Sequence, residues 1–99
     1  MQTQASSDEY KVEWDDEKSR INMIKHGVSF ETASLVFADE NLIELYDEDH
    51  SQDEDRYIAI GVVDQILYVV HTIRGEVIRL ISARSATNEE KRLYYDSIG

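Results

Sequence analysis

Along five stretches of this chain apolar residues alternate with polar ones or run together, and along three others they recur at helical spacing. Residues 10–14 alternate and read as a short strand. Asp15 then opens a helix, with Asp16 and Glu17 in the first turn, Lys25 and His26 in the last and Gly27 just beyond. Ile21, Ile24 and then Val28 follow its helical spacing. Ser29 caps a second, shorter helix with Phe30, Ala33, Val36 and Phe37 on its buried side. Residues 42–46 form the next strand, and three more follow at 56–63, 66–73 and 76–83. Their connections, Asp64-Gln65 and Arg74-Gly75, are short enough to join them as an antiparallel meander. Thr87-Asn88-Glu89-Glu90 is a capping box that starts a last helix, running to about Ser97. The expected architecture is α+β: an antiparallel sheet, made of the meander plus one or two short N-terminal strands, packed with an N-terminal helical hairpin and a C-terminal helix. Residues 1–9 have no periodicity and read as a flexible N-terminus, leaving residues 10–99 as a single domain.

Composition narrows the classes of function. No apolar run approaches the roughly 20 residues that span a bilayer, and the polar, acidic start reads as neither a signal nor a transit peptide. There is no cysteine, hence no disulfide framework and no thiolate metal site. A cytoplasmic location is expected. The net charge of −11, from 21 acidic against 10 basic residues, counts against a broad nucleic-acid surface and favours a basic protein partner. The distribution is uneven, however. Residues 39–55 hold nine acids and neither Lys nor Arg, whereas residues 56–84 hold Arg56, Arg74, Arg79 and Arg84 against Asp64 and Glu76. An anionic ligand is compatible with the second segment.

The last meander strand, Glu76-Val77-Ile78-Arg79-Leu80-Ile81-Ser82-Ala83-Arg84, combines a core-like apolar pattern with two arginines. A guanidinium there requires a carboxylate, a phosphate or the strand's end. Strict alternation puts Arg79 with Val77, Ile81 and Ala83 on one face, and Arg84 with Ile78, Leu80 and Ser82 on the other. The two arginines then line one site only if the strand bulges or ends between them. An end near Ala83 is expected.

Several ordered motifs together resemble a known family. They are Trp14-Asp15, Lys18, Asn22, the junction Lys25-His26-Gly27-Val28-Ser29-Phe30, Ala33, Val36-Phe37, Asp47-Glu48-Asp49-His50, Arg56, Ile60-Gly61, Arg74-Gly75, and Arg79 with Ile81-Ser82-Ala83-Arg84. The combination is similar to the BrnT-type toxins over about residues 12–95. That resemblance implies the toxin of a type II toxin–antitoxin pair, with a fold like the RelE ribonucleases. It implies metal-independent endonucleolytic cleavage of RNA that halts translation, without a cofactor. It also implies a ribbon-helix-helix antitoxin of the BrnA kind, and contact with operator DNA only through the toxin–antitoxin complex.

Cutting RNA without a metal needs a base for the ribose 2′-hydroxyl, cations for the phosphate and a proton for the leaving oxygen. The catalytic candidates are Arg79 and Arg84 for the phosphate and His26 for proton transfer; Lys25, Arg56, Arg74 and Tyr94 are the RNA-binding candidates. Each has a structural alternative. Arg79 suits an internal ion pair, Arg56 a local pair with Glu54 or Asp55, and Arg74 a solvated turn. Lys25 and His26 suit a helix C-terminus, and one of Tyr94 and Tyr95 suits the core. His71, among apolar neighbours, reads as a hydrogen-bonded core residue. His50, in the acidic loop, reads as exposed or as a metal ligand with Asp47 and Asp49, although the segment lacks the glycine and terminal Glu of a calcium loop. The rival to an enzyme is a non-catalytic binding module, an inactive toxin homologue that docks a basic partner through residues 39–55. Catalysis requires Arg79 and Arg84 within reach of His26 in one cleft; the binding module requires each arginine closed by a carboxylate.

Overall fold

A computed structural model describes residues 2–6 and 11–99. In chain order the elements are β1 (Gln2–Ser6), β2 (Lys11–Asp15), α1 (Asp16–His26), α2 (Phe30–Ser34), a 3-10 turn at Leu35–Ala38, β3 (Ile43–Tyr46), a 3-10 turn at Glu48–His50, β4 (Tyr57–Val63), β5 (Gln65–Arg74), β6 (Val77–Ser85) and α3 (Asn88–Ile98). The six strands form one sheet in the order β1-β2-β6-β5-β4-β3.

The meander is present as read from the sequence, with β4, β5 and β6 paired antiparallel in succession. Two expectations change. The sheet is mixed, because β2 lies parallel to β6 through Lys11↔Val77, Val12↔Ile78 and Glu13↔Arg79. A five-residue alternating segment specifies which side chains point inward, but it carries no information about strand direction. The helical connection leaves from β2, which lies between β1 and β6, and delivers β3 to the far edge. The second change is at the N-terminus. Residues 2–6, within the segment read as a flexible lead, pair as a strand antiparallel to β2. Residues 1 and 7–10, including the first residue of the strand expected at 10–14, lie outside the described residues.

The helix ends follow local chemistry. Asp15 accepts the backbone N–H groups of Glu17 and Lys18 at 2.9 and 3.1 Å. Gly27, at φ 73°, closes α1 by donating its N–H to the Met23 carbonyl. Ser29 caps α2, and Thr87 with Glu90 forms the capping box of α3. The two helices of the hairpin differ in how they are held. Phe30, Ala33 and Val36 are fully buried, as their spacing requires. By contrast, α1 leaves Ile21 39% and Ile24 71% exposed, and Asn22 is its buried residue.

The main core lies between these helices and one face of the sheet, around Val12, Trp14, Phe30, Val36, Leu67, Val69, Leu80 and Ala83. On the opposite face α3 covers a smaller cluster of Ile58, Ile60, Ile66, Ala86 and Tyr94. A Cβ at Gly61 would stand 3.0–3.2 Å from Leu42 and Val36, so glycine here lets the 3-10 turn approach β4 closely. Because α3 occupies only one end of its face, the strands beyond it remain open. The candidate site lies there.

Candidate active site

The site starts from an irregularity in β6. Across the ladder Val70 faces Ser82 but His71 faces Leu80, so Ile81 is an extra residue with no partner: a β-bulge. The bulge reverses the alternation, and Leu80 and Ala83, three residues apart, both reach the main core. Arg79 and Arg84, opposite Thr72 and Tyr68, therefore come to the same open face. The strand also runs on to Ser85 instead of ending near Ala83.

Asn22 holds the bulge in place. Its amide donates to the Val28 and Ala83 carbonyls at 2.7 and 2.8 Å, and its oxygen accepts the Ala83 N–H at 3.2 Å. Beyond Arg79, β6 has no β2 residue beside it. The Asn22 side chain takes the place of a neighbouring strand and satisfies the exposed edge.

Arg84 is fixed from two sides. Its guanidinium carbon lies 3.9 Å above the centre of the Tyr68 ring. Its Nη1 and Nη2 donate to the two Glu90 carboxylate oxygens at 2.7 and 3.0 Å, and Nη1 also donates to the Ser85 carbonyl at 3.2 Å. These bonds use the end of the guanidinium. The side-on fork of Nε and Nη2 remains and has the right geometry for two phosphate oxygens. The Arg84 charge holds the Glu90 carboxyl below the usual carboxylate range, and the Glu90 contact raises Arg84 in turn. Burial pushes the Tyr68 phenol up, which keeps it protonated.

The open face contains a hollow of about 360 Å³ lined by Asp47, His50, Arg56, Tyr68, Val70, Ile81, Ser82 and Arg84. The loop before β4 forms one wall, and its base is tightly tied. The Ser51 hydroxyl donates to the Asp47 carbonyl at 2.6 Å and accepts the Arg56 N–H at 2.9 Å. The Thr72 hydroxyl donates to the Asp55 carbonyl at 2.6 Å. A second hollow of about 190 Å³, lined by Lys18, Ile21, Asn22, Lys25, His26, Ile81 and Ser82, adjoins the first through Ile81 and Ser82.

The sequence-derived candidates separate accordingly. Arg84 and Arg56 meet in the larger hollow. Arg56 makes none of the local ion pairs expected for it, since Glu54 lies 3.5 Å from Arg74 instead. Lys25 and His26 line the smaller hollow. Arg79 is mostly buried and bonded to Glu13 at 2.9 Å, and Arg74 sits with Glu54 at the far end of β5. Tyr94 is 4% exposed, with its hydroxyl donated to Asp39 at 2.6 Å. Burial, with Asp39 beside it, pushes this phenol up to about 12. Tyr94 anchors α3, and Tyr95 is the exposed ring of the pair. His71 is a core histidine, in ring contact with Phe37 and Tyr57.

Sequence reasoning did not single out Tyr68 as part of the site, and it grouped Asp47 with His50 only as possible metal ligands. Tyr68 is found by counting the ladder back from the Arg74-Gly75 turn, but only once the extra residue at Ile81 is known. The acidic run carried no sign that its backbone folds against the sheet. Among the described residues, no three His, Asp or Glu side chains are grouped to hold a metal ion, and no helix is long and apolar enough to cross a membrane.

The arrangement can bind and orient a phosphodiester: a side-on guanidinium fork, a second guanidinium across the hollow, an aromatic face and an imidazole at the rim. Comparison with known proteins agrees with that chemistry. The crystal structure of the Brucella abortus ribonuclease toxin BrnT superposes with a TM-score of 0.55 at 26% identity, over 76% of this chain and 94% of that one. No curated protein matches. The sequence pattern of the ribonuclease toxin BrnT, of type II toxin–antitoxin systems, matches residues 14–90. That span covers most of the chain, from the end of β2 into α3, and it includes every residue lining the two hollows. The chain belongs to the BrnT family of ribonuclease toxins of type II toxin–antitoxin systems.

Proposed function

We propose that this protein is an active, metal-independent endoribonuclease that cleaves RNA in the manner of RelE-type toxins and so halts translation. The observation that carries the reading is the bulge at Ile81. It turns Arg84 to the open face, where Tyr68 and Arg56 complete a hollow of about 360 Å³, with room for a phosphate and the groups attached to it. In the reaction the ribose 2′-oxygen attacks the adjacent phosphorus. Arg84, through its side-on fork, and Arg56 bind the non-bridging oxygens and stabilise the added negative charge. The RNA runs from this hollow past Ser82 to the adjoining one, where Lys25 and His26 contact the neighbouring phosphate or base. Arg79, through Glu13, ties β2 to β6, and Arg74 contributes at the periphery.

A basic antitoxin of the ribbon-helix-helix type fits the acidic surface of residues 39–55, and operator DNA is reached through that complex. The cytoplasm, where such RNA and DNA lie, is the proposed location. Carboxylates beside Arg74, Arg79 and Arg84 favour the second reading, a non-catalytic homologue that only docks a basic partner. Expression separates the two. Controlled production of the chain should arrest growth with loss of cellular RNA, and folded Arg84→Ala and Arg56→Ala chains should not. Equal growth with and without the soluble wild type would favour the docking module.

A further inference from the structure

We propose that Asp47 and His50 are the proton-transfer pair of this site: His50 takes the proton of the ribose 2′-hydroxyl, and Asp47 positions its ring. The inference rests on the ribonuclease reading above and deepens it by naming the base. Nδ1 of His50 lies 3.0 Å from an Asp47 carboxylate oxygen. A carboxylate only accepts, so Nδ1 carries the hydrogen and the Nε2 lone pair is left as the base. The carboxylate is a fixed mount. Asp47 is 12% exposed at its side chain, its N–H donates to the Arg56 carbonyl at 2.9 Å, and its own carbonyl accepts from Ser51. His50 is 68% exposed at its side chain and lines the same hollow as Arg56 and Arg84. Histidine 26 lies outside that hollow, at the end of α1.

The step balances within the substrate and one water. The O2′–H proton passes to Nε2, and O2′ forms a bond to phosphorus. The P–O5′ bond breaks, O5′ takes a proton from water, and the imidazolium returns its proton to the hydroxide left behind. The products are a 2′,3′-cyclic phosphate and a 5′-hydroxyl. The charged and titratable groups lining the hollows around the ring are Asp47, Glu48, Asp49, Asp53 and Glu54 on its own loop, Arg56 just before β4, and Tyr46, Tyr68 and Arg84 on the strands.

The test is cleavage of a fluorogenic oligoribonucleotide of mixed sequence by the full chain across pH, with thermal unfolding as the check on folding. His50→Gln should lower kcat by about 100-fold with little change in KM, and should abolish the acid limb of the profile. Added imidazole should restore a part of the activity of His50→Ala and none to Asp47→Asn. Asp47→Asn should lose roughly tenfold in kcat. His26→Gln should raise KM and keep the acid limb. The pair is overturned if His50→Gln keeps both kcat and the acid limb while Arg84→Ala is inactive; the ribonuclease reading then stands without it. A folded wild type that cuts no RNA overturns both.

Discussion

Three side chains show how much a single residue decides in this fold. Asn22 satisfies both backbone groups of Ala83 and the Val28 carbonyl from a buried position. Asn22→Leu adds apolar bulk but leaves those groups unpaired, and should cost about 3 kcal/mol in urea unfolding; an unchanged midpoint would mean that water replaces the amide. His71 is 1% exposed, and burial pushes it down from the ordinary 6.5 to about 4. Above pH 6.5 the ring is neutral in both the folded and the unfolded chain. Below that the unfolded chain takes up a proton while the folded chain does not until near pH 4. Stability is thus full above pH 6.5 and declines, by roughly 3 kcal/mol, as pH falls to 4. His71→Phe should flatten that part of the stability profile, as measured by urea midpoints across the range. Glu90 works in a similar sense at lower pH. The neighbouring Arg84 charge depresses its carboxyl, so its contribution is present above the ordinary carboxylate range and fades as acid protonates it. Glu90 also accepts the Thr87 N–H at 2.8 Å, so the start of α3 and the orientation of Arg84 depend on one carboxylate.

Elements were legible where local chemistry sets them. The Asp15 and Ser29 caps, the Gly27 stop, the short turns of the meander and the capping box of α3 each depend on a few adjacent residues, and each is found in place. Thr87→Ala should lower stability by about 1 kcal/mol through loss of that cap, with thermal unfolding as the measurement. What was not legible depends on residues far apart in sequence. The direction of β2 is fixed by a partner 66 positions away, as the Glu13–Arg79 bond marks. The bulge is held by Asn22, 61 positions from Ala83. Because β phase was counted without that extra residue, Arg79 and Arg84 fell on opposite faces, and Tyr68 fell out of the site. Removing Ile81 should leave every other pairing of β6 in place, with Arg79 and Arg84 then four positions apart and still on the open face by plain alternation. A folded chain lacking Ile81 whose activity fell to the level of Arg84→Ala would show that the face of Arg84 is not set by that one extra residue.

At the scale of the whole molecule, a charge of −11 must be reconciled with a polyanionic substrate. The reconciliation is spatial: the acids concentrate in residues 39–55, while the arginines of β5, β6 and the start of β4 lie on or beside the open face. The acidic loop forms the wall of the hollow, so it repels RNA at long range and gives a basic antitoxin an attractive surface. Replacing Asp49, Asp53 and Glu54 together by Asn, Asn and Gln should lower KM for RNA several-fold at low salt, with the difference shrinking as salt screens it. The most direct test of the whole reading is the chemistry of the product ends. The purified chain would be incubated with an oligoribonucleotide in the presence of a chelator, beside a folded Arg84→Ala chain. The expected result is cleavage by the wild type alone, at least 100-fold above Arg84→Ala, leaving 2′,3′-cyclic phosphate and 5′-hydroxyl ends. Cleavage of equal rate by both chains, or cleavage that stops with the chelator, would contradict it.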